Sequence, residues 1–274
     1  MKIKKHNPLE RILMSPTLRN WEYTVQLFRI IILNIWFEIT NAHLGIRALD
    51  LWKEDKEFLE LYKEVKGRTS LSSIKLYTLY QLVKDVISLE GDIAELGVYR
   101  GGSAKALAKV IEKYNPDKNL LLFDTFEGFP EPDTKQDLFK KGDLSDTSYE
   151  EVKDYLNNYK FVSIYKGLFS DTLPTVVEKS YSFVHIDGDL YSSVQECCEY
   201  FYPKMVPGGI ILFDDYGFLC APGAKNAVDE YFLNKVESPI WIPTGQAIVI
   251  KQLETTNKNK INDLLKATSH RNAN

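Results

Sequence analysis

The stretch that most constrains this chain is residues 91–103, Gly-Asp-Ile-Ala-Glu-Leu-Gly-Val-Tyr-Arg-Gly-Gly-Ser. An apolar strand, Ile93 to Val98, carries a carboxylate and a glycine at its end, then passes through Gly101–Gly102 into a helix beginning at Ser103. A strand–turn–helix of this kind lets a ligand lie against bare backbone at a helix N-terminus, where free amides and the helix dipole favour negative charge. Here an acid, Glu95, stands inside the turn. It would repel a pyrophosphate and suits a ligand with hydroxyls or a positive centre. S-adenosylmethionine fits that description better than a dinucleotide. An NAD-dependent reading is further disfavoured by the missing third glycine.

The chain has 274 residues, long for one domain and short for two, so one α/β core with an appendage is expected. A net charge of −4 gives no electrostatic case for nucleic acid. Three cysteines, two of them adjacent (Cys197 and Cys198), make a poor disulfide framework; reduced thiols in a cytoplasmic protein are the expectation. Near the N-terminus, Met1 to Arg11 is basic and Leu27 to Phe37 strongly apolar. Arg29 and Glu38 interrupt that apolar stretch, leaving it well short of the roughly 20 residues that span a bilayer. No small-residue cleavage site follows it. It is expected to form a buried helix or a contact within a homo-oligomer, with an interfacial membrane helix as the alternative.

Residues 1–90 read as a helical cap or oligomerisation segment, residues 91–252 as the catalytic core, and 253–274 as a polar tail. Lys53 to Val65 is a charged amphipathic helix. Leu71, Ile74, Leu79, Leu82, Val83, Val86 and Ile87 mark one face of the next helix, which stops near Gly91. Beyond it, short apolar strands alternate with helices, which predicts an α/β fold: a Rossmann-like, mostly parallel sheet with helices on its faces. The strands are Ile93–Val98, Leu120–Asp124, Phe161–Tyr165, Phe183–Asp187 and Gly209–Asp214. The helices are Ser103–Tyr114, Tyr149–Tyr159, Ser192–Tyr202 and Ala224–Leu233, with Thr147 and Glu150 as a capping box for the second. Ile240–Pro243 and Ala247–Lys251 flank a Thr-Gly-Gln turn, a hairpin that closes the sheet with an antiparallel strand.

Ligands collect at the carboxyl ends of the strands in such sheets. Four predicted strands deliver acids there: Glu95, Asp124, Asp187 and Asp214, the last followed by Asp215. Crowded carboxylates repel, so a hard cation or a hydroxyl-rich ligand must compensate. Asp124 is placed to accept from both hydroxyls of a ribose, the alternative being a cap on the Thr125–Gly128 turn. Glu95 has its own plain alternative as a partner for Arg100. Asp187, Asp214 and Asp215 can satisfy an octahedral magnesium site, with waters and a substrate oxygen in the other positions. His185, two residues before Asp187, is read as a satisfied core histidine outside the metal shell. Cys197 and Cys198 share the apolar face of a helix with Val194 and Phe201 and are read as packing.

Six runs taken in order resemble the TylF/MycF-type, or macrocin-type, O-methyltransferases. They are Glu-Leu-Gly-Val-Tyr-Arg-Gly-Gly-Ser (95–103), Phe-Asp-Thr-Phe-Glu-Gly-Phe-Pro (123–130), Gly-Asp-Leu-Ser-Asp-Thr-Ser (142–148), Asp-Thr-Leu-Pro (171–174), His-Ile-Asp-Gly-Asp-Leu-Tyr (185–191) and Pro-Gly-Gly-Ile-Ile-Leu-Phe-Asp-Asp-Tyr (207–216). The resemblance spans roughly residues 70–252. It implies a class I methyltransferase that uses S-adenosylmethionine and magnesium to methylate sugar hydroxyls of natural products such as macrolides and aminocoumarins. The first turn is also similar to that of the catechol-type methyltransferases, matching at Glu95, Gly97, Tyr99 and Ser103. Their adenine-side loop resembles Gly167-Leu-Phe-Ser-Asp171, which implies Phe169 and Ser170 near the adenine. Their metal triad ends Asp-Asn, whereas this chain has Asp214–Asp215.

The implied reaction is an in-line displacement on the sulfonium methyl by an acceptor hydroxyl. Asp189, just past Asp187, is the candidate base, alongside its plain alternative as a turn residue capping the helix at Ser192. The N-terminal helices and the long 126–146 loop would set specificity, the loop as a lid. A small-molecule acceptor, a sugar or glycoside, is therefore expected. The competing readings are a catechol or phenol acceptor and a catalytically idle S-adenosylmethionine-binding subunit.

Overall fold

A computed structural model describes residues 50–253, together with the isolated Ile32. The chain divides into two units, Met1–Leu51 and Trp52–Asn274, and the described residues fall almost entirely in the second. Ile32 apart, the apolar stretch 27–37 lies outside the described residues, as does the tail beyond Leu253.

Two helices precede the sheet, α1 (Lys56–Val65) and α2 (Ser73–Val86). Each has the side-chain N-cap that sequence logic demands: Asp55 accepts from the Phe58 amide and Ser72 from that of Lys75. The buried face of α2 is Leu76, Leu79, Tyr80, Val83 and Val86. Ile74, expected on that face, is exposed, because at 100° per residue it lies on the opposite side of the helix from the Leu76–Tyr80–Val83 row. The same core holds Phe58, Leu61 and Val65 of α1 together with Ile93, Leu122, Phe183 and Leu212 of the sheet. Among the described residues, the helices before the sheet and the sheet itself therefore share this core.

The sheet has seven strands: β1 (Asp92–Leu96), β2 (Leu120–Asp124), β3 (Val162–Lys166), β4 (Tyr181–Ile186), β5 (Met205–Phe213), β6 (Ile240–Trp241) and β7 (Ala247–Ile250). Their spatial order is β3-β2-β1-β4-β5-β7-β6. Every pair from β3 to β5 is parallel, and β7 runs antiparallel to both β5 and β6. The Rossmann-like architecture and the antiparallel closing hairpin expected from the sequence are both present. Helices α3 (Gly102–Tyr114), α4 (Tyr149–Tyr155), the short α5 (Phe169–Thr172), α6 (Tyr191–Phe201) and α7 (Pro222–Phe232) are the α-helices that follow β1 among the described residues. Two apolar layers result. One lies between the sheet and α1–α3, and the other between the sheet and α6–α7.

The N-cap of α4 is shifted by one residue from the expected Thr147–Glu150 capping box. Ser148 is the N-cap and accepts from the Glu151 amide, while Thr147 donates to the Tyr99 carbonyl. Both residues offer a hydroxyl, and the tertiary contact decides which one is left for the helix.

The order reverses between β1 and β4, the switch point at which open sheets form their crevice. There Gly97 adopts φ +91, and a Cβ on it would lie 1.9 Å from the Asp187 carbonyl oxygen. This glycine is needed chiefly so that the end of β4 can close on the end of β1. Gly102 plays a similar part at the start of α3: its amide donates to the Arg68 carbonyl (3.0 Å), and a Cβ would clash with that peptide. Gly97→Ala should destabilise the protein by about 3 kcal/mol or more, combining strained backbone with a backbone clash. Urea denaturation measures it; a loss below about 1 kcal/mol would mean that β4 yields freely at this point.

Candidate active site

Alternation along the strands puts one set of side chains on one face of the sheet. Ile93 of β1, Phe183 of β4 and Leu212 of β5 face the α1–α3 layer. Two residues on, the same parity carries Glu95, His185 and Asp214. Glu95 and His185 are in register across β1 and β4, and both are fully buried. His185 Nδ1 is 2.9 Å from Glu95 Oε1, and its Nε2 faces Asp214 Oδ1 at 3.7 Å, beyond hydrogen-bond reach but close for charges. Burial by itself would lower the histidine's pKa. The Asp214 and Glu95 carboxylates outweigh it, and the value is pushed up to about 9.

Asp214 is the most heavily partnered acid here. Gln246, from the β6–β7 turn, donates to its Oδ1 at 2.8 Å, and Lys75 of α2 hydrogen-bonds Oδ2. The Lys75 ammonium is also 3.8 Å from Asp215 Oδ1 and lies over the Phe218 ring, 4.1 Å from its centre. Burial would raise the Asp214 pKa, but His185 and Lys75 bring it below the usual carboxylate value. Asp187 and Asp189 go the other way. Burial first, then the neighbouring carboxylates, holds both well above the usual range. Asp215 is raised by burial and by Asp214, and its Oδ2 is buried with no partner.

One ligand atom each from Asp187, Asp214 and Asp215 lies within 4.8 Å of the others. Three hard oxygens converging there, repelling each other and leaving one oxygen unsatisfied, fit a divalent cation such as magnesium. The triad lies on the wall of a cavity of about 810 Å³, which Gly97, Tyr99, Asp124, Phe169, Ser170 and Asp189 also line. Of the expected cofactor residues, Glu95 and Ser103 do not line it: Glu95 is committed to His185 and Ser103 is buried at the start of α3.

Asp124 faces the cavity and caps a turn at the same time. Its Oδ2 accepts from the amides of Val98 and Tyr99 (2.7 and 2.8 Å) and its Oδ1 from that of Phe126 (2.7 Å). A carboxylate has about four acceptor positions, so one is left for a ligand hydroxyl. Arg100 pairs with Asp146, not with Glu95, and the Tyr99 hydroxyl donates to the same Asp146 carboxylate. These contacts fasten the end of the 126–146 loop to the β1 turn. Midway, Asp137 accepts from the Tyr191 amide at 2.9 Å, capping α6 from a distance. Asp189 therefore does not cap that helix; it sits in the left-handed region at φ +53 and faces the cavity.

Lys75, Gln246 and the partnering of His185 are what sequence reasoning did not assign. For Lys75 a signal existed. It falls between Leu71 and Leu79 in the i, i+4 row of α2, a charge on an apolar face. Gln246 has no such mark, because only the hairpin's return beside β5 aims it at Asp214.

With the geometry established, comparison with known proteins places the chain. The model of the macrocin O-methyltransferase (TylF) family matches residues 47–246. The chain belongs to that family. It is 33% identical over 179 residues to demethyldecarbamoylnovobiocin O-methyltransferase of Streptomyces niveus, covering 60% of this chain and 68% of that one. Against mycinamicin III 3''-O-methyltransferase of Micromonospora griseorubida, identity is 28% over 234 residues, covering 80% and 91%. The solved structure of the O-methyltransferase NovP superposes with a TM-score of 0.62 at 30% identity, covering 68% of this chain and 83% of NovP. The calicheamicin methyltransferase CalS11 shares the fold at 19% identity and a TM-score of 0.58. This TylF-family chain is thus an S-adenosylmethionine-dependent O-methyltransferase, as the six motifs implied. Among the described residues no helix is long and apolar enough to cross a membrane.

The buried histidine makes a pH prediction. A group whose pKa rises on folding stabilises fully below its unfolded value, 6.5, and that stabilisation is lost as pH climbs through about 9. The raised Asp187 and Asp189 act in the same direction. In a chelator, the melting temperature should fall between pH 6.5 and 9.5, and His185→Asn should flatten that fall. An identical slope in the variant would show that His185 stays neutral.

Proposed function

We propose that this enzyme methylates a hydroxyl of a sugar or glycosylated natural product, with magnesium held by Asp187, Asp214 and Asp215. The observation that carries the reading is the convergence of these three carboxylates within 4.8 Å on the wall of the cavity that also presents Asp124 and the Gly97 turn. The activities of these two relatives, O-methylation in the novobiocin and mycinamicin series, support the same acceptor class.

The chain's own residues divide the work. Asp124 retains an acceptor position for the ribose of S-adenosylmethionine, and Phe169 and Ser170 at the start of α5 are assigned to the adenine side. When bound, the divalent cation supplies charge stabilisation to an oxygen that is losing its proton. Asp189 takes that proton. Partial burial and the neighbouring Asp215 and Asp214 carboxylates hold its carboxyl above the usual range, which makes it a stronger base than a free aspartate. The 126–146 loop, fastened at Asp137 and Asp146, walls the cavity and keeps water from the reacting atoms. A phenolic acceptor is the second reading, favoured by the Phe129 and Phe139 rings, 5.0 Å apart and both on the cavity wall.

Methyl transfer to a panel of deoxysugar glycosides and diphenols tests the acceptor class. Turnover confined to diphenols would overturn the sugar assignment. Activity should need magnesium and stop in a chelator, and Asp187→Ala should abolish turnover while S-adenosylmethionine still binds by calorimetry. Full activity after verified metal removal would make the three acids structural.

Asp189→Asn should lower kcat by roughly 10²–10⁴-fold, the contribution of a positioned base, with metal affinity nearly unchanged. Raising the pH should restore little, since a sugar hydroxyl ionises far above any usable pH. A variant within about threefold of the parent would remove Asp189 from the proton-transfer step.

A further inference from the structure

Lys75 is in an odd place for a lysine. It is the third residue of α2, in the first turn after the Ser72 cap, where the helix dipole disfavours a cation. Its side chain is only 12% exposed. Among the described residues that line the cavity, it is the single cation beside the acids Asp187, Asp189, Asp214 and Asp215. Its ammonium hydrogen-bonds Asp214 and stands 3.8 Å from Asp215, so it touches two of the three carboxylates that converge on the metal position. The face of Phe218 closes over it.

We propose that Lys75 is the resident counter-ion of the metal-free site, and that its ammonium and the divalent cation compete for the same carboxylates. The inference rests on the metal reading above. Without metal, one buried and three half-buried acids crowded on one rim repel, and a cation carried by the chain itself lets the fold persist. With metal, the same ammonium stands within a few ångströms of a second positive centre and weakens its binding. Two like charges at such a separation repel even at a moderate effective dielectric. Lys75 is in this sense a positioning residue: it orients Asp214 and sets how tightly the triad holds its ion. A purely structural ion pair predicts the opposite sign for metal affinity, since losing it would leave Asp214 misplaced.

The experiment compares the parent enzyme with Lys75→Met and Lys75→Arg. Calorimetric titration with Mg²⁺ and Mn²⁺ alone reads affinity, and thermal melting in a chelator reads the metal-free fold. The methionine variant should melt lower in chelator and bind metal about tenfold or more tightly, so that saturating metal raises its melting temperature further than the parent's. The arginine variant should resemble the parent. Unchanged or weaker metal binding by Lys75→Met would overturn the proposal and leave Lys75 as a structural partner of Asp214. If that variant folds only when metal is present, the proposal is upheld. If it folds under neither condition, Lys75→Gln is titrated instead, and a failure to tighten overturns the proposal. A parent enzyme that binds neither ion would overturn the metal reading itself, an outcome distinct from a parent that binds and a variant that does not tighten.

Discussion

The organisation of the site depends on one electrostatic constraint: Asp187, Asp189, Asp214 and Asp215 are brought together, largely buried, at the carboxyl edge of a parallel sheet. Such crowding is unfavourable unless positive charge and hydrogen-bond donors meet it. Lys75 arrives from α2, His185 from β4 and Gln246 from the β6–β7 turn, and all three turn towards Asp214. Asp214 is consequently the acid kept ionised, while Asp187, Asp189 and Asp215 remain under-compensated. A site that is partly neutralised by its own chain, and partly left short of positive charge, is prepared for a cation.

The same interactions tie the site to the core. Glu95 sits on β1 at the heart of the sheet, and through His185 it is linked to Asp214 at the rim. The acid that marks the first motif thus acts first as a buried structural partner, with one oxygen, Oε2, still unsatisfied. Gly97 serves both layers as well, because the close approach of Asp187 to β1 exists only where no Cβ stands in the way. Asp124 continues the pattern, holding the β1 turn closed with the carboxylate that faces the cavity.

The cavity wall depends on two acids in the long loop after β2. Asp137 satisfies an amide at the start of α6, a donor that the helix cannot satisfy for itself. Asp146 takes both the Tyr99 hydroxyl and the Arg100 guanidinium. The loop carries no helix or strand, yet it is held at its middle and its end, so closing the cavity needs no new secondary structure.

The sequence by itself determined the alternation of strands and helices, and with it the parallel sheet. Apolar runs such as Leu120–Phe123 have few alternatives to burial, and Gly-Gly turns punctuate them. It also determined which acids end the strands, because parallel pairing brings all strand ends to one rim whatever their separation in the chain. What only the tertiary structure decided was the partnering. The i, i+4 row of α2 marks Lys75 as out of place, but not that Asp214 receives it. Nothing local assigns Arg100 to Asp146 in preference to Glu95, or Gln246 to a carboxylate 32 residues away. Local propensity is a property of neighbours along the chain. Charge compensation is a property of neighbours in space, and it is settled only when the sheet has formed and desolvated the acids that demand it.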